Sequence, residues 1–317
     1  MALQGVMRGK RRPPRCTFYG PPGVGKSSFG ADAPKPIFIT TEDGVDNLPV
    51  DQFGRAQTWP GLLDNVRQIA KEEHEYKTIV LDTLNGAVDL AAQFVCETLY
   101  GGQWTAKKGD GGFLAWAQGW KATAELMRSL LALLDDCRAR GMTVLLLAHT
   151  GLQNVKHPVD GDYTKFAPDI DRFVWAKICA WCDIVLRADY EYSIVRDKAS
   201  AKGRAVGTQT RKIYCAGSAA EDAKCRVGYE LPDDFSLSWD EFQAYLGASG
   251  TSLTEIKELW TLLNEDEAKA TMIWFGVERL EDAPLTKVRQ ALNRLRQRQA
   301  EKLAAEKGEE KEEEVTV

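Results

Sequence analysis

"CTFYGPPGVGKSSFGADAPKPIFITTEDG", residues 16–44, decides the fold. It holds an apolar run, a loop of glycines and prolines around one lysine, and a second apolar run ending in two carboxylates. Gly20-Pro21-Pro22-Gly23-Val24-Gly25-Lys26-Ser27 fits G-x-x-x-x-G-K-[ST] at every fixed position, and Ser28 follows it. Glycines let consecutive backbone N–H groups turn inward onto phosphate oxygens. A helix opening behind the loop adds free amides and the positive end of its dipole. In this pattern Lys26 reaches the β- and γ-phosphates, and the Ser27 hydroxyl holds Mg²⁺. Residues 16–19 read as a buried strand and residues 27–31 as a short helix. The stretch therefore predicts a strand–loop–helix nucleotide site, with residues 20–28 as its nucleotide-binding loop.

The remaining chain fits an α/β protein. Its 317 residues are 44% hydrophobic and 27% charged, enough for one large core and a smaller unit. No apolar run reaches the length of a membrane span, and the first residues lack the apolar segment of a secretory signal. Seven cysteines scattered through apolar surroundings suggest free thiols and a cytoplasmic location, in a bacterial host. The net charge of −5 is unevenly spread. Arg8, Lys10, Arg11, Arg12 and Arg15 make a basic arm, and Glu309, Glu310, Glu312, Glu313 and Glu314 an acidic tail. Local patches, not net charge, therefore decide whether nucleic acid is a partner.

Apolar runs alternate with helical periodicity, the pattern of a parallel sheet. Strands are expected at residues 37–40, 78–82, 143–148, 182–188 and 211–215. Helices are expected at 62–71, 87–99 and 114–138. Residues 101–112 and 151–169 read as polar loops. Beyond residue 250 only helical periodicity remains, at 254–263, 267–275 and 286–303. The expected organisation is a basic arm (1–14), an α/β core (15–247), a helical C-terminal region (250–305) and an acidic tail (306–317).

Three strand ends carry candidate chemistry. Asp82 closes an apolar strand and is placed to complete the Mg²⁺ shell begun by Ser27. Glu42 lies at the carboxyl edge of the second strand, where ligands bind in open α/β sheets, and can orient or deprotonate an attacking water. Asp43 is the alternative base, and a solvated Glu-Asp-Gly turn the bland alternative. His149 ends another buried strand and can sense the γ-phosphate, or be a satisfied strand-end histidine.

In this order the residues resemble the RecA-like ATPase core, and more closely phage-encoded, AAA-type RecA-like ATPases grouped with single-strand annealing proteins. The matching stretches are "GPPGVGKSSF", "PIFITTEDG", "TIVLDTLNG", "VLLLAHT" and "AKCRVGYELP", within residues 15–245. The resemblance implies a RecA-like P-loop NTPase core with a mostly parallel central sheet, followed by a small α-helical region. It implies ATP and Mg²⁺ as cofactors, Glu42 as catalytic base and His149 as γ-phosphate sensor; that histidine is similar to RadA-type relatives. Lys224-Cys225-Arg226 resembles a Lys-Asn-Arg element whose cations reach a neighbouring subunit's ATP, here with cysteine in place of asparagine.

Such proteins bind DNA through two loops on the axis of a filament or ring. Their positional counterparts hold Trp104, Lys107, Lys108 and Phe113, then Lys156, His157, Tyr163, Lys165 and Phe166. Trp104, Lys107, Lys108, Lys156 and Lys165 are the candidate DNA contacts, since cations neutralise phosphates and aromatics stack bases. The expected protein is a Mg²⁺-dependent, DNA-stimulated ATPase of phage recombination. It would act as a homo-oligomer on single-stranded DNA, with a single-strand-binding protein as a further candidate partner. The alternatives are an ATP-switched DNA loader with negligible turnover and a hexameric RadA/DnaB-like translocase. Cys179-x-x-Cys182 lacks a second pair at zinc spacing and reads as packing.

Overall fold

The computed structural model describes residues 12–105, 111–196, 203–226, 231–247 and 261–277, with single positions at 259, 288, 291, 292, 294, 295 and 298. Two compact units divide the chain: residues 1–226 with 233–241, and residues 227–232 with 242–317.

The first unit is built on a ten-stranded sheet of order β10-β8-β7-β1-β5-β4-β2-β3, where β8 is Gly203–Tyr214 and β10 is Asp234–Ser236, with β6 (Tyr163–Pro168) paired to β5 and β9 (Lys224–Cys225) to β7. Strands β1 (Arg15–Gly20), β2 (Pro36–Thr40), β3 (Asp51–Gln52), β4 (Thr78–Asp82), β5 (Thr143–Val155) and β7 (Ile184–Arg196) form its parallel part. The central strands are buried on both faces, so their sequences are near-continuous apolar runs. On one face, Tyr19, Ile39, Leu81, Leu146 and Val185 share a core with helices α2 (Trp59–Lys71), α3 (Leu84–Tyr100), α4 (Gln118–Ala139) and α5 (Arg172–Trp181). On the other, Phe18 meets Phe29 of α1 (Lys26–Ala31) at 4.5 Å between ring centroids, and Phe29 meets Trp239 at 5.0 Å. Trp239 opens α6 (Trp239–Gly247).

Several expectations are corrected. The strand expected to stop at Ala148 runs on to Val155 and returns as β6 (Tyr163–Pro168), so most of the expected loop 151–169 is an antiparallel hairpin. The alternation of exposed and half-buried residues there is that of a strand outside the sheet's core. The last two long strands also extend past their apolar segments. β7 pairs antiparallel with β8 (Gly203–Tyr214), which pairs with β10 (Asp234–Ser236). The helix α5 follows from an Asp171 N-cap whose carboxylate accepts from Phe173 N–H. Helix α4 starts at Gln118, because Trp116 and Ala117 both take positive φ of 55° and break the helical path.

In the second unit, α7 (Glu265–Phe275) begins with a capping box between Asn264 and Glu267 and ends at Gly276 in the left-handed region. Phe275, Leu259, Val288 and Leu292 form its small core. The expected helices at 254–263 and 286–303, the arm residues Arg8, Lys10 and Arg11, and the acidic tail lie wholly or mostly outside the described residues. Among the described residues no helix is long and apolar enough to cross a membrane.

Candidate functional site

The strand order brings four chain segments to one cleft. The chain leaves β1 for β2, three places along the sheet, and comes back through β4 and β5. The carboxyl ends of β1, β4 and β2 therefore stand beside the middle of β5. Register places Gly20 beside His149, and Thr40 beside Asp82. A cleft of about 460 Å³ opens there, lined by the loop residues Pro22, Gly23, Gly25, Lys26, Ser27 and Ser28 and by Glu42, Asp82, His149 and Arg211.

The loop's conformation depends on glycine. Gly23 and Gly25 have φ of 77° and 105°, where a side chain would be strained. Lys26 is buried, and its Nζ donates to the carbonyls of Gly20 at 2.9 Å and Pro21 at 3.0 Å. Burial holds its pKa below the usual lysine value, while the Asp82 and Glu42 charges oppose that shift. The Ser27 hydroxyl donates to Asp82 Oδ2 at 2.6 Å. Burial, with the nearby Glu42 charge adding to it, raises the pKa of Asp82, against the pull of the Ser27 hydrogen bond and the Lys26 charge.

Glu42 is held at both oxygens. Thr83 Oγ1 donates to Oε1 at 2.6 Å, and His149 Nε2 lies 3.1 Å from Oε2. Burial raises its pKa, but the Thr83 and His149 hydrogen bonds outweigh that and hold it below the ordinary glutamate value. Asp43 also borders the cleft, yet its carboxylate pairs with Arg55 at 2.9 Å and is mostly exposed.

The backbone around Glu42 is fixed by two threonines. Thr83 N–H donates to Thr41 Oγ1 at 2.9 Å, and the Thr41 hydroxyl donates to the Thr83 carbonyl at 2.8 Å. Gly86 leaves room for Thr41: a Cβ there would come within 2.3 Å of its hydroxyl. Asn85 accepts from His149 N–H at 2.8 Å and donates to the Asp169 carbonyl at 2.7 Å. Thr83, Asn85 and Arg211 are absent from the sequence-based candidates. The first two lie within three residues of Asp82 in "DTLNG", and Arg211 opens an apolar strand run.

The other candidates lie elsewhere. Lys224 and Cys225 form β9, which pairs with Val185 and Ile184 of β7. Those residues sit beside Thr17 and Cys16, near the start of β1, so Lys224 and Arg226 stand at the end of the sheet away from the phosphate loop. Lys224 Nζ donates to the Cys179 carbonyl at 2.5 Å. Arg226 donates to the Ala180 carbonyl and pairs with Asp183 at 3.2 Å. Asp183 also pairs with Arg15 at 2.9 Å and Arg138 at 3.1 Å.

Among the candidate DNA contacts, Trp104 is 44% exposed, Lys156 is exposed and Tyr163 lies at the hairpin's edge. Lys165 instead pairs with Asp222 at 2.6 Å, beside the Trp175 Nε1 hydrogen bond to the same carboxylate. Phe113, expected on a binding loop, is fully buried among Trp104, Tyr100 and Trp120. Lys107 and Lys108 lie outside the described residues. Among the described residues no group of three or more His, Cys, Asp or Glu side chains could hold a metal ion. The Ser27–Asp82 pair is an oxygen donor set of the kind Mg²⁺ takes when phosphates and waters supply its remaining ligands.

Comparison with known proteins follows the same outline. A family described as "AAA domain" matches residues 12–227, more than half of the chain. The chain is 27% identical over 161 residues to the SPbeta prophage-derived uncharacterized protein YorG of Bacillus subtilis (strain 168), an alignment covering 49% of this chain and 47% of that protein. It thus spans about half the length of this curated relative.

Proposed function

The chain belongs to the AAA-domain family, and from that premise we propose that it is a Mg²⁺-dependent ATPase of phage recombination that assembles on single-stranded DNA. One observation carries the reading: Glu42, bridged to His149 and Thr83, shares a cleft with Lys26 and the Ser27–Asp82 pair. The likeness to a prophage-derived protein supports a phage setting.

In this mechanism residues 20–28 wrap the phosphates with their backbone N–H groups. Lys26 leaves the Gly20 and Pro21 carbonyls for the β- and γ-oxygens. Ser27 and Asp82 would hold Mg²⁺, which supplies positive charge against that developing on the transferred phosphoryl group. Glu42 orients the attacking water and takes its proton, for which its depressed pKa keeps it ionised at neutral pH. Thr83 fixes one Glu42 oxygen and leaves the other to be shared between His149 and water. Through that shared oxygen His149 senses the γ-phosphate, and β5 joins it directly to the exposed hairpin bearing Lys156 and Tyr163. That hairpin and Trp104 are the proposed DNA face, with aromatics for bases and cations for phosphates.

A second reading, an ATP-switched DNA loader with negligible turnover, is favoured by the engagement of both Glu42 oxygens, which makes an attacking water compete with His149 for Oε2. Phosphate release with and without single-stranded DNA separates the two. DNA-stimulated turnover that disappears in Glu42→Gln supports the ATPase. ATP-dependent DNA binding without turnover would instead establish the loader.

A further inference from the structure

Arg211 enters the phosphate cleft from the flank opposite Glu42 and His149. It sits on β8, paired with Tyr190 of β7, and β7 adjoins β1 on the side away from β5. Its guanidinium lies 5.8 Å from the centre of the Tyr190 ring, and the Tyr190 hydroxyl donates to the Gly23 carbonyl at 3.0 Å. The cation is thus carried against the phosphate loop itself: a Cβ built on Gly25 would come within 3.0 Å of an Arg211 nitrogen. Arg15, Arg138, Arg187, Lys165 and Arg226 are each paired with carboxylates. Among the described residues no carboxylate pairs with Arg211.

The cleft is therefore polarised, with Asp82, Glu42 and His149 at one end and Arg211 at the other. Resting on the nucleotide-site reading above, we propose that Arg211 is a phosphate clamp acting within its own subunit, on the phosphates common to ATP and ADP. The hydrolysed phosphate must face the water held by Glu42, so the phosphates nearer the nucleoside face Gly25 and Arg211. A guanidinium forks two phosphate oxygens at once, and Tyr190 holds this one over the loop. Because it contacts phosphates that survive hydrolysis, Arg211 stabilises substrate and product alike and slows the departure of ADP.

Equilibrium titration of ATP and of ADP, each with Mg²⁺, into the full-length protein tests this. Arg211→Ala is expected to weaken both nucleotides by the same factor, about tenfold or more for the loss of charge-assisted hydrogen bonds. Arg211→Lys, which keeps the charge but not the fork, should fall between it and the wild type. Wild-type ADP affinity in Arg211→Ala, or a loss confined to ATP, overturns the proposal. Lys26→Ala is the companion variant. If it is weakened while Arg211→Ala is not, only the Arg211 assignment fails; if neither is weakened, the nucleotide site itself has been misread.

Discussion

Nε2 of His149 lies 3.1 Å from Oε2 of Glu42, joining the turn after β2 to the middle of β5, 107 positions apart in sequence. The contact ties the proposed base, Glu42, to a strand that leads away from the cleft. Each partner is partly buried, so the bond is neither fully screened nor sealed from a ligand.

Glu42→Gln should still bind ATP and hydrolyse it about a hundredfold or more slowly, the scale of a lost general base. Asp43→Asn should stay close to wild type, because Asp43 faces Arg55. Steady-state phosphate release on both variants decides; a slow Asp43→Asn beside a normal Glu42→Gln would exchange their roles.

Lys26→Ala should lose hydrolysis and bind ATP weakly while keeping its circular dichroism and melting behaviour. Among the described residues, Lys26 Nζ bonds to the Gly20 and Pro21 carbonyls and to no other group. Full turnover in the folded variant would contradict the mechanism.

Asp82→Asn should abolish hydrolysis yet raise the melting temperature of the nucleotide-free protein at neutral pH. Burial raises the folded pKa of Asp82 above its unfolded value. Its ionisation therefore costs stability in full above the folded pKa, and the cost vanishes below the unfolded one. The gain should be about 2–4 °C per kcal/mol recovered and should disappear in acid. A variant less stable than wild type at pH 7 would show that the Ser27 hydrogen bond outweighs burial.

Replacing both Lys224 and Arg226 with alanine should lower stability by about 1–3 kcal/mol, as expected for charged hydrogen bonds to the Cys179 and Ala180 carbonyls and Asp183. Mixing this variant with Lys26→Ala should restore no activity if the two cations act only at home. Recovered turnover in a co-assembled mixture would return them to a neighbour's site.

Lys156→Ala should weaken single-stranded DNA binding and flatten its salt dependence, since fewer counterions are released. Lys165→Ala should instead lower the melting temperature, because its ammonium is paired with Asp222. Titrations at several salt concentrations, with melting curves, distinguish the two lysines.

The strands buried on both faces were legible because burial demands continuous apolar runs, as in "CTFYG", "IFIT" and "TIVLD". The hairpin beyond His149 and the helix after Asp171 were not, since half-exposed elements mix polar and apolar residues as loops do. Lys26, Ser27, Glu42, Asp82 and His149 were found because a motif or a strand end marks each of them. Thr83 and Arg211 reach the cleft through register and long-range pairing, which no local pattern encodes. Lys224 rests on a short stretch of resemblance, and Lys165 and Phe113 on residue type within an expected loop, and neither signal separates a paired or buried side chain from an available one.

The uninterrupted run of β5 from His149 to Val155 has a mechanical consequence. Six residues of extended chain span about 20 Å, and pairing with the antiparallel partner would let them act as a stiff lever pivoting at the nucleotide cleft. A tilt of about 3° at the pivot would carry Val155 through about 1 Å at this rise per residue. The return strand is also anchored: Phe166 N–H donates to the Ala220 carbonyl, and Asp222 N–H donates to the Phe166 carbonyl. A displacement of His149 would therefore reach both the hairpin tip and the segment leading into Lys224, two surfaces at once.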